Sequence, residues 1–285
     1  VSPEAGQWKV LGWDAVGTVV ETGQKVQDFN TGDKVWYAGS LIRPGANSEF
    51  HLVDERIVGH KPEMLANREA AALPLTSITA WEMLFDRLDV RKPVAGATNA
   101  ILIIGGAGGV GSIAIQLARA LTDLTVVATA SRPETQEWIT QLGAHHVIDH
   151  SKPLAKQFEA LGIGAPAFVF STTQTQEHLS EIVALIAPQG RFGLIDDPDK
   201  LDIMAFKSKS VSVHWELMFT RPIYQTADIA EQGRLLNEVA RLVDEGKIRT
   251  TLTEVLSPIN ASNLKAAHGV LESSKAKGKV VLEDW

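Results

Sequence analysis

Asn99 to Leu121 reads NAILIIGGAGGVGSIAIQLARAL. Asn99 to Ile104 is a short apolar run with β-branched residues, the signature of a buried parallel strand. A glycine cluster breaks it. From Val110 the apolar residues return at helical spacing, at Val110, Ile113, Ala114, Leu117, Ala118 and Leu121. Strand, glycine turn and helix form the context in which a glycine pattern carries meaning. Gly106, Gly108 and Gly111 satisfy G-x-G-x-x-G. Gly106 is expected to make the tight turn, Gly108 to let a pyrophosphate approach the backbone, and Gly111 to let the helix pack close. The helix N-terminus offers N–H groups and a positive dipole end to phosphates. The stretch predicts a dinucleotide site, against a plain glycine-rich βα turn.

The flanking sequence extends this unit. Leu124–Ala130 reads as the next strand, Gln136–Leu142 as a helix and Val147–Asp149 as a strand. Ala167–Phe170, Arg191–Ile195 and Val211–Trp215 are further strands, with a helix over Gln176–Ile186. Alternating strands and helices imply a doubly wound parallel sheet of the α/β class. Ligands in such sheets bind beyond the carboxyl ends of the strands. Thr172, Thr173, Ile195 and Trp215 lie at such ends, where they line the nicotinamide or simply pack.

The end of the second strand bears on cofactor choice. A carboxylate there would accept from a ribose 2′-hydroxyl. Ala130 holds that place, followed by Ser131 and Arg132. A guanidinium forks onto a 2′-phosphate, and a serine hydroxyl adds a donor. NADPH is therefore expected over NADH. The alternative for Arg132 is a solvated residue before Pro133.

The N-terminal part has a different texture. Val1–Lys9 reads as loop, Val16–Val20 and Lys34–Tyr37 as strands, and Glu49–Val53 as another, with turns at Asn30–Asp33 and Gly45–Asn47. Such short strands suggest a small antiparallel barrel or sandwich. A helical segment starts at Glu69, Pro74 interrupts it, and helical spacing resumes from Thr79 to Leu88. Ile229–Gly246 is an amphipathic helix with Leu235, Leu236, Val239, Leu242 and Val243 on one stripe.

Composition sets bounds. A chain of 285 residues buries roughly three quarters of its unfolded surface, so no staples are required. The chain has no cysteine, which excludes disulfides and thiolate metal sites and points to a reducing cytoplasm. The net charge is −7, without a basic block, which argues against nucleic acid or an anionic membrane as partner. No apolar run approaches the ~18 residues of a membrane helix. The chain opens on Val1, not Met, so it is expected to begin inside a longer gene product.

Three motifs in order, Gly12-Trp13-Asp14-Ala15-Val16-Gly17, Thr31-Gly32-Asp33-Lys34-Val35 and Gly105-Gly106-Ala107-Gly108-Gly109-Val110-Gly111, resemble the medium-chain dehydrogenase/reductase superfamily. Within it the chain looks like the zinc-free quinone oxidoreductase branch, over nearly its whole length. The resemblance implies a Rossmann domain over residues 77–225. It implies a GroES-like, mainly β substrate domain from 1–76 and 226–285, shortened at its N-terminus relative to the family. It adds Thr79, Gly109 and Val110 to the cofactor-binding residues, Thr79 and Val110 beside the nicotinamide. His150 falls where the family has an aromatic residue by the 2′-phosphate; the alternative is a surface histidine. A homodimer joined through edge strands is also implied.

Zinc-dependent relatives carry Gly-His-Glu where this chain has Gly12-Trp13-Asp14. Trp13 cannot ligate, and neither a cysteine-bearing catalytic site nor a four-cysteine lobe can form. No metal is expected. Asp14 reads as a structural acid, pairing with a base or capping a turn. His145 and His146 would point to opposite faces of a strand, and the acidic run Asp196–Asp199 reads as a solvated turn. The implied activity is NADPH-dependent hydride transfer to a quinone or an α,β-unsaturated carbonyl. No acid–base residue declares itself; Asn47 and Trp215 are cleft candidates by placement. The rivals are an alcohol dehydrogenase-like enzyme and a non-enzymatic NADPH-binding sensor or structural protein.

Overall fold

The computed structural model describes residues 6–273 and 276–285. Residues 1–5 of the expected opening loop lie outside the described residues. The chain forms two compact units. One comprises Val1–Ile78 with Met218–Trp285, the other Thr79–Leu217. These divisions compare with boundaries expected at 76/77 and 225/226. No helix among the described residues is long and apolar enough to cross a membrane.

The first unit opens with an antiparallel sheet of β1 (Ala15–Thr18), β2 (Lys34–Tyr37) and β3 (Val58–His60). Glu49–Val53, expected as a strand, is irregular. β2 pairs with β1 on one side and β3 on the other. His51 in that segment is instead pinned by its side chain, 2.9 Å from the Tyr37 hydroxyl and 2.9 Å from the Pro44 carbonyl. The first helices are α1 (Asn67–Ala70) and α2 (Pro74–Trp81). Pro74 starts α2 rather than interrupting a helix, because a first-turn residue has no intrahelical acceptor for the N–H that proline lacks. A π-helical turn, Glu82–Arg87, continues from α2.

The second unit is built on one parallel sheet. Its strands are β4 (Thr98–Ile104), β5 (Thr125–Thr129), β6 (His146–Ile148), β7 (Pro166–Ser171), β8 (Arg191–Leu194) and β9 (Ser212–Trp215). They lie in the order β6-β5-β4-β7-β8-β9. The order reverses between β4 and β7, the topological switch point of a doubly wound sheet. The helices are α3 (Gly109–Leu121), α4 (Pro133–Gln141), α5 (Leu154–Ala160) and α6 (Thr175–Leu185). Leu102, Val127, Val169, Phe192 and Phe206 are among the fully buried side chains between sheet and helices. Each such side chain contributes about 1.5–3 kcal/mol by leaving water.

The C-terminal part returns to the first unit through α7 (Thr220–Tyr224), α8 (Glu231–Asp244), β10 (Leu252–Leu256), α9 (Ala261–Glu272) and β11 (Lys279–Leu282). The apolar stripe of α8 is buried at Leu235, Leu236, Val239, Leu242 and Val243. α8 lies directly on β3. A Cβ on Gly233 would stand 2.8 Å from the Val58 carbonyl, so only glycine permits that approach. Asp14 ties the two chain segments together, accepting from Lys279 Nζ at 2.7 Å and from the Leu75 N–H at 2.7 Å. Burial pushes its carboxyl up and the Lys279 charge opposes that push. This is the structural acid the sequence suggests, doing both expected jobs.

Candidate cofactor-binding site

The glycine turn sits where β4 gives way to α3. Gly105 takes φ +80°, so the tight turn falls there rather than at Gly106. The reason is that β4 runs to Ile104, and the chain must reverse at the next residue. The Gly106 N–H donates to the Thr129 carbonyl at 3.1 Å, which fastens the turn to the end of β5. A Cβ on Gly111 would lie 2.3 Å from the Gly105 carbonyl oxygen and 2.7 Å from Gly106 Cα. Gly111 is therefore required by the backbone of the turn itself. Gly108 differs. A Cβ there would meet only the Gly105 oxygen, at an ordinary 3.5 Å. Nothing in the protein demands glycine at 108, and the space before it is open. Gly108, Gly109 and Val110 are all partly exposed at the start of α3. The Gly108 N–H already donates to the Gly105 carbonyl at 3.1 Å, so Gly108 gives a phosphate clearance, and the N–H groups of the first turn of α3 make its cradle.

Thr129, fully buried at the end of β5, links this turn to the next strand end. Its Oγ1 accepts from the Gly105 N–H at 3.0 Å and lies 3.1 Å from His150 Nδ1. With one lone pair used by Gly105, its proton can go to Nδ1, which leaves Nε2 as the protonated nitrogen of a neutral ring. Burial, then the nearby His178, pushes the His150 pKa down; Asp149 opposes this and Arg132 adds to it. The His150 and His178 ring centroids are 6.3 Å apart.

β5 ends at Thr129; Ala130, Ser131 and Arg132 follow it, and α4 begins at Pro133. The Arg132 N–H donates to Thr135 Oγ1, and that hydroxyl donates back to the Arg132 carbonyl at 2.8 Å. The Arg132 Nε lies 2.8 Å from Glu134 Oε1, and both side chains are partly exposed. Ser131 is half-buried beside it. Trp138 of α4 donates to Ser112 Oγ in the first turn of α3 at 2.8 Å, which ties the two helices together.

Thr172 and Thr173 follow β7, on the other side of the switch point. The Thr172 hydroxyl donates to the Ile104 carbonyl at 2.8 Å. It caps the end of β4 rather than presenting a donor outward. Thr173 is exposed and lines an open cavity of about 660 Å³ with Thr175, Asp196 and Asp197. Asp196 does not belong to a solvated turn. It accepts from the Thr175 N–H at 2.8 Å and from its hydroxyl, satisfying the start of α6. Ile195 is half-buried after β8, its N–H 3.3 Å from the Ser171 carbonyl. Trp215, at the end of β9, is 56% exposed. Thr79 is buried within α2. In the first unit, Asn47 donates its N–H to the Leu11 carbonyl at 2.9 Å.

Thr129 and Glu134 escaped the sequence reading, and Asp196 was expected only as part of a solvated turn. Thr129 carried a signal: a polar residue closing the apolar run Val126 to Ala128. A second unforeseen feature is a buried carboxyl pair, Glu82 and Glu216, 0% and 5% exposed. Arg87 Nε lies 2.7 Å from Glu216 Oε2. Burial and the Glu82 carboxylate push the Glu216 pKa up to about 9, against the pull of Arg87.

Zinc finds no matching donors. The Trp13 indole donates to the Ser40 carbonyl at 3.4 Å, Asp14 is taken by Lys279 and Leu75, and cysteine is missing from the sequence. No group of three His, Asp or Glu among the described residues is placed to hold a metal ion.

Residues 2–63 match the alcohol dehydrogenase GroES-like domain and residues 142–282 the zinc-binding dehydrogenase model. A zinc-type alcohol dehydrogenase-like protein of Staphylococcus aureus is 39% identical over 276 residues, 96% of this chain and 82% of its own length. A mitochondrial NAD(P)H oxidoreductase of Danio rerio, RTN4IP1, is 30% identical over 99% of this chain and 74% of its own. A crystal structure described as a putative zinc-dependent alcohol dehydrogenase from Rhizobium etli superposes with TM-score 0.98 at 69% identity, covering 100% of this chain and 83% of that one. A Pseudomonas syringae quinone oxidoreductase superposes with TM-score 0.80 at 25% identity, over 99% and 84% of the two chains. A GroES-like domain joined to an NAD(P)-binding Rossmann sheet, with relatives of this similarity and coverage, places the chain among the oxidoreductases of the medium-chain dehydrogenase/reductase superfamily.

Proposed function

We propose that this chain is a zinc-independent, NADPH-dependent reductase acting on a quinone or an α,β-unsaturated carbonyl compound. The observation that carries the reading is the end of β5. It is followed by Ala130-Ser131-Arg132 instead of a carboxylate, and Thr129, its last residue, fastens it to the glycine turn. Gly108, Gly109 and Val110 hold the pyrophosphate on the N-terminus of α3, with Gly106 and Gly111 shaping the turn. Arg132 forks onto the 2′-phosphate, Ser131 adds a hydroxyl, and His150 offers its Nε2 proton on the same side. Thr79, Thr172, Thr173 and Ile195 are assigned to the nicotinamide end, Thr172 by holding the ends of β4 and β7 together.

The bound nicotinamide supplies the hydride. The protein's part is placement, exclusion of water and stabilisation of the oxygen that gains charge. The chain's donor set is unsuited to zinc, so that oxygen takes its stabilisation from a hydroxyl, an amide N–H or water. Trp215, at the end of β9, offers an exposed aromatic face for a planar acceptor. The quinone class is supported by the Pseudomonas relative's description and the nicotinamide class by that of RTN4IP1.

The test is oxidation of NADPH, followed by loss of nicotinamide absorbance, with benzoquinone, phenanthrenequinone and a panel of enals and enones. Turnover without added zinc supports the reading. Tight NADPH binding without turnover across the panel would favour a sensor. Arg132→Ala should weaken NADPH binding about tenfold or more, at 1.4 kcal/mol per tenfold, and leave NADH nearly unchanged. Equal losses for both cofactors would remove Arg132 from the 2′-phosphate site.

A further inference from the structure

The guanidinium assigned to the 2′-phosphate already has an anion beside it. Arg132 Nε stands 2.8 Å from Glu134 Oε1, in the first turn of α4. The two residues are separated only by Pro133, whose ring fixes the backbone between them. Arg132 is further held at its backbone by the reciprocal bonds with Thr135. Glu134 is thus presented to Arg132 by a short, stiff segment. We propose that Glu134 sets the cofactor preference by competing with the 2′-phosphate for Arg132; this rests on the reading of Arg132 given above.

The charges decide the direction. A phosphate monoester carries about −1.5 to −2 at neutral pH. Seated on Arg132 it meets the Glu134 carboxylate at close range, whether Glu134 stays or is displaced. If Glu134 stays, the two anions repel. If it leaves, its bond to Arg132 is lost. Either way the carboxylate subtracts from binding of a 2′-phosphate and does nothing comparable to a 2′-hydroxyl. Two unit charges near 4 Å in water interact by about 1 kcal/mol, which is roughly fivefold in affinity. Glu134 therefore narrows the gap between NADPH and NADH that Arg132 opens, without closing it.

Calorimetric titration with adenosine 2′,5′-bisphosphate and with 5′-AMP isolates this corner from the nicotinamide and from turnover. Wild type, Glu134→Gln, Glu134→Ala and Arg132→Ala are compared at low and high salt. Glu134→Gln keeps the side chain's shape on an exposed helical turn. It should bind the bisphosphate about fivefold more tightly and 5′-AMP unchanged, with the gain shrinking as salt rises. Glu134→Ala should agree in sign. Unchanged or weaker bisphosphate binding in both Glu134 variants, while Arg132→Ala loses it, overturns the role of Glu134 alone. Unchanged bisphosphate binding in Arg132→Ala overturns the assignment of Arg132, and the proposal with it.

Discussion

Replacing Glu216 by glutamine should make the folded protein less sensitive to alkali. Glu216 is 5% exposed and follows β9, with Glu82 and Arg87 of the π-helical turn against it. Its pKa rises from the ordinary 4.5 to about 9, through burial first and then the Glu82 charge. The folded chain keeps this proton up to about pH 9, while the unfolded chain releases it near 4.5. Between those values the unfolded state binds fewer protons, so stability falls as pH rises. The contribution is whole below 4.5 and is lost progressively toward 9. Each pH unit inside the window costs about 1.36 kcal/mol, so wild type loses about 3 kcal/mol from this group between about pH 6 and pH 8. The glutamine amide does not titrate. Its N–H can donate to Glu82 and its oxygen can accept from Arg87. Urea unfolding of wild type and Glu216→Gln, followed by tryptophan fluorescence at both pH values, measures the difference directly. Titrating groups outside the cluster of Glu82, Arg87 and Glu216 are common to the two proteins and cancel. The variant should overtake wild type in stability at the higher pH. Parallel stability curves for the two proteins would refute the reasoning.

The glycines at 108 and 111 should part company. Gly111→Ala pushes a Cβ into the backbone of the turn and should lower stability by about 1–3 kcal/mol, read as a fall in Tm. Gly108→Ala meets nothing closer than 3.5 Å and should leave Tm nearly unchanged, while NADPH affinity measured by calorimetry falls about tenfold. Asp14→Ala strands Lys279 and the Leu75 N–H and should cost about 2–3 kcal/mol in chemical unfolding. Asp14→Asn keeps an acceptor for Leu75 and should cost less.

Periodicity and glycine spacing were enough to reveal the parallel sheet, its glycine turn and the second strand to within a residue at each end, Leu124–Ala130 expected against Thr125–Thr129 observed. Each is a local property: a run of β-branched residues, a break, a 3.6-residue stripe. The composition likewise showed that these 285 residues offer no cysteine to a metal, since a donor that is not in them cannot be folded into place. Chain-distant pairing was not legible. Glu82 and Glu216 stand far apart in sequence and meet only because β9 closes the sheet beside the π-helical turn. Asp14 finds Lys279 because the C-terminal segment returns to the first unit. His51 lies in an irregular segment held by side-chain bonds to Tyr37 and to the Pro44 carbonyl, partners that strand alternation does not reveal. Thr129 looked like one more strand residue until the turn folded its amide onto the hydroxyl. The sequence alone determined which backbone would turn and which side chains were available for a phosphate. Only the tertiary structure decided which of those side chains were already engaged, because a hydrogen bond or ion pair depends on distance through space, and spacing along the chain fixes that distance only within a helix, a strand or a turn.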